Sequence, residues 1–128
     1  MKKAVLYLRI SKQEQTQNSI SLDIQEKVCR EFAKENNCDV DTIFTDIGYG
    51  GKKTSKPKLQ EMLKYCKNKD NDVHAIIVFR LDRLTRNFGA FFREIFPILE
   101  KNSIYILSAT EKWNSNSLFI GSELQTDE

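Results

Sequence analysis

Residues that bind metals are scarce in this sequence. Three cysteines, Cys29, Cys38 and Cys66, and one histidine, His74, are scattered along 128 residues. No two cysteines stand at CxxC spacing, and an odd number does not suggest a disulfide framework. A zinc site would have to be assembled from distant ligands, so neither a metal nor a cofactor is expected. His74 reads instead as a residue leading into a strand, and the free thiols suit a reducing cytoplasm. Long apolar runs are missing as well. The longest, such as residues 75–79, fall far below the ~20 residues that cross a bilayer, and the Met1-Lys2-Lys3 start leads into only a brief apolar segment. Neither a membrane partner nor a signal peptide is expected. With only five glycines and two prolines, the chain lacks the composition of a disordered or low-complexity protein.

What is present is the balance of a packed domain: 40% hydrophobic and 30% charged residues. The length suits one core and leaves little room for a second. A net charge of +2 says little, but its distribution says more. Residues 52–69 carry seven lysines against one acid, Glu61, and Arg80, Arg83, Arg86 and Arg93 follow. Clustered cations of this kind neutralise phosphates. A solvated helix face accounts for such a lysine run equally well.

Residues 4–10 read as a first strand. Residues 22–36 place Leu22, Val28, Cys29, Phe32 and Ala33 at helical spacing behind Ser21 as N-cap. Residues 40–45 suit a second strand, and residues 57–67 a helix with Pro57 in its first turn and Leu59, Met62, Leu63 and Cys66 on one side. Residues 75–79 and 104–107 are continuous apolar runs of the sort that strands covered on both faces require. Between them residues 88–101 read as a helix that Pro97 bends. Repeated strand-helix-strand units give an α/β fold, with a mostly parallel sheet of four or more strands and helices on both faces. Residues 12–19, rich in Gln, Ser, Thr and Asn, and residues 47–55, rich in Gly and Lys, read as mobile surface loops.

Ligands of open α/β sheets bind beyond the carboxyl ends of the strands. At the end of the first strand stand Tyr7, Arg9 and Ser11, spaced by two so that an extended backbone aims all three to one side. Asp46 ends the second strand, followed by Gly48, Gly50 and Gly51, which let backbone approach a ligand closely. After the third comes Arg80-Leu81-Asp82-Arg83-Leu84-Thr85-Arg86. If that segment is helical, Asp82, Arg83 and Arg86 share one face. Arginine's planar fork suits phosphate oxygens, and several cations near one hydroxyl point to phosphate chemistry. Each residue also has a plain reading: Ser11 as a turn or cap, Tyr7 as strand packing, Arg9 as a surface ion pair, and Asp82 with Arg86 as a helix pair.

Taken together, these residues resemble the serine recombinases, which include resolvases, DNA invertases and large serine integrases. Tyr7-Leu8-Arg9-Ile10-Ser11 resembles the family's Tyr-x-Arg-Val-Ser nucleophile motif, and Ser21-Leu22-Asp23-Ile24-Gln25 the segment after its mobile loop. Phe44-Thr45-Asp46 resembles its second strand end, and residues 80–87 its Lys-Leu-Asp-Arg-Leu-x-Arg signature. The likeness covers residues 3–124 in order. It implies that Ser11 attacks a DNA phosphodiester to leave a 5′-phosphoserine and a free 3′-hydroxyl. It also implies that Arg9, Arg83 and Arg86 stabilise phosphate charge, that Asp82 positions them or assists proton transfer, and that Tyr7, Gln25, Asp46 and Lys56 support the site. The partners it implies are DNA and, in a full-length protein, further copies forming a dimer or tetramer.

Two positions and the length depart from the family pattern. Gly50 stands where a serine is common, and Lys56-Pro57 where Arg-Pro is common. Family members also continue from residues matching 118–124 into a long dimerisation helix and a DNA-binding domain. The expectation is therefore a catalytic domain over residues 1–128 with no DNA-binding domain in the chain, either excised or naturally truncated, and weak when isolated. Two other readings stand beside it. One is a catalytically weak module that regulates a full-length recombinase by occupying its partners. The other is a flavodoxin-like module for a small phosphate ligand, which would want a phosphate loop feeding a helix N-terminus.

Overall fold

The structure, a computed structural model, describes residues 2–11, 20–48 and 56–112, with Ser11 placed through its backbone. The expected loop over 12–19, most of that over 47–55 with Gly50 and Gly51, and the segment 118–124 lie outside the described residues. Strands β1 (Lys2–Ser11), β2 (Cys38–Gly48), β3 (Ala75–Val78) and β4 (Tyr105–Ser108) form one sheet in the order β2-β1-β3-β4, all pairs parallel. Helix α1 (Leu22–Glu35) connects β1 to β2, and α2 (Pro57–Lys67) leads from β2 towards β3. Between β3 and β4 run a 3-10 turn (Leu81–Arg83), a short α3 (Phe88–Ala90), a π-helical turn (Phe91–Ile95) and α4 (Phe96–Lys101).

The chain moves from β1 outward to β2 and then back across β1 to β3. Right-handed crossovers in opposite directions put their helices on opposite faces. Accordingly, Ala4, Leu6 and Leu8 of β1 pack with Cys29 and Ala33 of α1, while Val5 and Tyr7 pack with Leu59, Met62, Leu63 and Cys66 of α2. Covered on both sides, residues 4–8 of β1 and the whole of β3 need apolar residues at every position. That is why they read as continuous runs. The three cysteines are core residues of these two layers, and His74 directly precedes β3.

Helix α1 starts as expected, with Ser21 Oγ accepting from the Ile24 N–H at 3.2 Å. Its buried stripe is Gln25, Cys29 and Ala33, with the polar member nearest the helix N-terminus. The helix over 88–101 is not a simple bend. Pro97 has no N–H to give the carbonyl of Arg93 and its ring crowds that carbonyl. The turn before it widens, and the Phe96 N–H reaches back to the Phe91 carbonyl in a π pattern. Among the described residues no helix is long and apolar enough to cross a membrane.

Pairing of β1 with β2 runs to Ser11 opposite Gly48, whereas pairing with β3 stops at Tyr7 opposite Val78. Residues 8–11 therefore extend past β3 at the point where the chain reverses its order across the sheet. Crevices in open α/β sheets lie at such switch points.

Candidate active site

Arg9 sits on the overshooting end of β1, beside the 3-10 turn that follows β3. Its Nε donates to the Arg83 carbonyl at 3.0 Å and its Nη2 to the Asp82 carbonyl at 3.1 Å. Arg83 returns the contact, its Nη1 donating to the Arg9 carbonyl at 3.3 Å. With 5% and 4% of their surface exposed, Arg9 and Arg83 are cations held inside the protein. Backbone carbonyls orient such guanidinium groups without cancelling their charge.

Gln25 secures the same strand from α1. Its Oε1 accepts from the Arg9 N–H at 3.5 Å, and its Nε2 donates to the Arg9 carbonyl at 3.0 Å and to the Ile20 carbonyl at 3.2 Å. The side-chain amide thus takes the place of a neighbouring strand residue. A buried amide with both ends bonded stabilises the fold, whereas an unpaired one would cost about 1–3 kcal/mol.

Asp46 supports the site from β2. Its Oδ2 accepts from the Tyr7 hydroxyl at 2.8 Å and from the Leu59 N–H at 3.0 Å, and its Oδ1 accepts from the Lys58 N–H at 3.0 Å. Lys56, at the N-cap position of α2, makes no side-chain cap bond, so Asp46 caps the helix from the adjacent strand. Burial, and then the bond to Asp46, raises the Tyr7 phenol above its ordinary value. The hydroxyl remains protonated and serves as a donor.

Lys56 Nζ donates to the Leu84 carbonyl at 3.1 Å. Burial lowers its pKa, the nearby Arg9 lowers it further, Asp46 opposes, and Arg86 adds to the lowering. These dependences place Lys56 within the electrostatic reach of Arg9, Asp46 and Arg86. Arg86 is exposed and lines a cavity of about 340 Å³ with Lys56, Gln60, Thr85 and Asn87.

Residues 80–86 do not form the helix that would place Asp82 over Arg86. The 3-10 turn ends at Arg83, and Thr85 Oγ1 bonds both the N–H and the carbonyl of Asn87, each at 3.0 Å. Local side-chain bonds of this type compete with helix propagation. Asp82 instead pairs with Arg80 at 3.2 Å and with Arg83 at 3.7 Å. The structure thus joins Tyr7 to Asp46, joins Arg9 to Gln25, Asp82 and Arg83, and sets Lys56 beneath Leu84. It carries the backbone of Ser11 to the end of β1, two residues beyond Arg9. Sequence reasoning missed Glu111, which contacts the first residue of the 3-10 turn.

A family model described as "Resolvase, N terminal domain" matches residues 4–123. Among solved structures, the N-terminal catalytic domain of TP901-1 integrase aligns with a TM-score of 0.79 and 28% identity, over 98% of this chain and 90% of that one. A resolvase family site-specific recombinase from Streptococcus pneumoniae aligns with a TM-score of 0.78 and 21% identity, over 99% of this chain and 87% of that one. The C-terminal catalytic domain of ISC1926 TnpA, an IS607-like serine recombinase, aligns with a TM-score of 0.67 and 21% identity, over 97% of this chain and 78% of that one. At 21% identity the last two establish likeness of fold. No curated protein sequence matches the chain.

Proposed function

This chain belongs to the resolvase family and is a serine recombinase catalytic domain, a module that cuts and rejoins DNA, and from that premise we propose that Ser11 is its nucleophile. The Ser11 oxygen forms a bond to the scissile phosphorus as the bond to the 3′ oxygen breaks. The serine gives up its proton, the departing 3′ oxygen gains one, and a 5′-phosphoserine is left. Attack by the 3′-hydroxyl of another strand reverses these steps. The ester bond is conserved throughout, so no nucleotide triphosphate is consumed.

Arg9, Arg83 and Arg86 stabilise the charge that develops on the phosphate oxygens, and Asp82 sets the arginines. Gln25, Tyr7, Asp46 and Lys56 hold this set in place. The partners are DNA and further recombinase subunits, in a cytoplasmic setting. The observation that carries the reading is the reciprocal bonding of Arg9 and Arg83 at the sheet's switch point, two residues from Ser11. It supports a charged, preorganised phosphate site rather than a passive interaction surface.

The test is to fuse the full chain to a sequence-specific zinc-finger module and supply a duplex carrying that module's inverted sites. A central 3′-bridging phosphorothiolate releases a thiol that rejoins poorly, so a covalent adduct accumulates and is read on a denaturing gel. Wild type should form the adduct with or without EDTA. Ser11→Ala should form none while binding the duplex as tightly. An adduct that persists in Ser11→Ala, or one that vanishes with EDTA, would overturn the mechanism.

A further inference from the structure

Glu111 lies just beyond β4, and a single carboxylate oxygen of its side chain serves two donors. Its Oε1 accepts from the Leu81 N–H at 2.9 Å and from Ser108 Oγ at 2.8 Å. Leu81 opens the 3-10 turn that carries Asp82 and Arg83, and Arg80 at the N-cap position supplies no side-chain cap. Glu111 therefore does for this turn what Asp46 does for α2. Each satisfies, from a neighbouring strand end, an N–H that the local chain leaves open.

The contact belongs to a continuous seam. The Ala109 N–H donates to the Val78 carbonyl at 2.8 Å, and Thr110 Oγ1 to the Phe79 carbonyl at 2.7 Å. Residues 108–111 thus grip residues 78–81 where the β3–β4 ladder has ended. From the other side, Arg9 holds the carbonyls of Asp82 and Arg83. The turn is fixed at its amide end by an acid and at its carbonyl end by a base.

We propose that Glu111 is a positioning residue for DNA cleavage, holding the Leu81 amide so that the turn presents Arg83 at the switch point. Its carboxylate does not touch the reacting phosphate. It acts through the backbone of Leu81, and Ser108 orients it. This inference rests on the function proposed above. Losing this bond to a backbone amide should slow cleavage by ~10-fold, because the bond serves to orient Arg83.

Two measurements test it. In the chain itself, amide exchange followed by NMR should show Leu81 protected in wild type and in Glu111→Gln, which keeps an acceptor oxygen. In Glu111→Ala, Leu81 should exchange at least ~10-fold faster while Lys58 and Leu59, capped by Asp46, stay unchanged. In the zinc-finger fusion, Glu111→Ala should slow single-turnover adduct formation by ~10-fold at saturating DNA with unchanged affinity, and Glu111→Gln should restore it. Added to Arg83→Ala, Glu111→Ala should cause no further loss, whereas general destabilisation would lower activity again. Unchanged Leu81 exchange, or an unaltered adduct rate in Glu111→Ala, would dismiss Glu111 alone. An absent adduct in wild type would instead overturn the nucleophile assignment and, with it, a role for Glu111 in cleavage.

Discussion

Arg9 and Arg83, 74 residues apart, each donate to the other's backbone carbonyl, at 3.0 Å and 3.3 Å. Two buried like charges are brought together by carbonyl oxygens, with Asp82 beside Arg83 at 3.7 Å, and on the function proposed above they form a cationic site for a phosphate. Arg9→Ala and Arg83→Ala should each lower adduct formation by roughly 100-fold or more, as expected for loss of a preorganised donor. Each also strips a partner from a buried carbonyl. The double variant should lose much less than the product of the single losses, because the first substitution already frees the second side chain. Fully multiplicative losses in single-turnover assays would mean that the two act independently.

Asp46 predicts a stability effect distinct from the catalytic ones. Its carboxylate accepts three bonds, from the Tyr7 hydroxyl and the amides of Lys58 and Leu59. Asp46→Ala should destabilise the chain by about 2–4 kcal/mol, since it removes a helix cap and leaves a buried hydroxyl unpaired. Tyr7→Phe removes one donor and should cost about 1 kcal/mol. Urea unfolding would show the ordering. A larger loss for Tyr7→Phe than for Asp46→Ala would refute the cap.

The strands and the main helices were legible because burial on both faces leaves a plain mark in sequence. Residues 75–79 had no alternation to mislead, and Pro57 marked the start of α2 to the residue. Tyr7, Arg9, Asp46, Asp82 and Arg83 were legible as a group because the ends of parallel strands converge. What escaped was how they interlock. Nothing in local spacing shows that Asp46 caps a helix that starts at Pro57, or that Glu111 reaches Leu81 across 30 residues. The helix considered conditionally over residues 80–86 does not form either, because local spacing does not register that Thr85 turns its hydroxyl onto Asn87.

The core thiols set a pH limit on stability. Burial pushes Cys29 and Cys66 from 9.0 up to about 12. Because their folded-state values are raised, the stability they contribute is fully present below pH 9.0 and is lost as pH rises towards 12. Lys56, whose charged form burial disfavours, opposes this as pH climbs towards 10.5. The informative quantity is therefore the change in urea midpoint between pH 8 and about pH 10.5, in wild type against Cys29→Ala. Wild type should fall more steeply. Equal slopes would show that the Cys29 thiol ionises as easily folded as unfolded.

Lys56 offers the sharpest test of the proposed phosphate site. Its ammonium is half-buried, bonded to the Leu84 carbonyl at 3.1 Å, and felt by Arg9, Asp46 and Arg86. Burial, aided by Arg9, lowers its pKa from 10.5, so its charge is lost at lower pH than for an exposed lysine. A guanidinium at this position keeps its charge throughout and can bond Leu84 with one N–H while turning others towards a phosphate. Lys56→Arg should therefore raise the adduct rate several-fold at neutral pH, and more at alkaline pH, where the wild-type rate declines and the variant's does not. Lys56→Met should be slow at all pH values, with no alkaline decline of its own. Rates measured from pH 7 to about pH 10 on the zinc-finger fusion separate these cases, with the range set by lysine's ordinary titration. If Lys56→Arg were slower than wild type, or if both declined together, the charge on Lys56 would have no part in cleavage, and its bond to Leu84 would be left as packing alone.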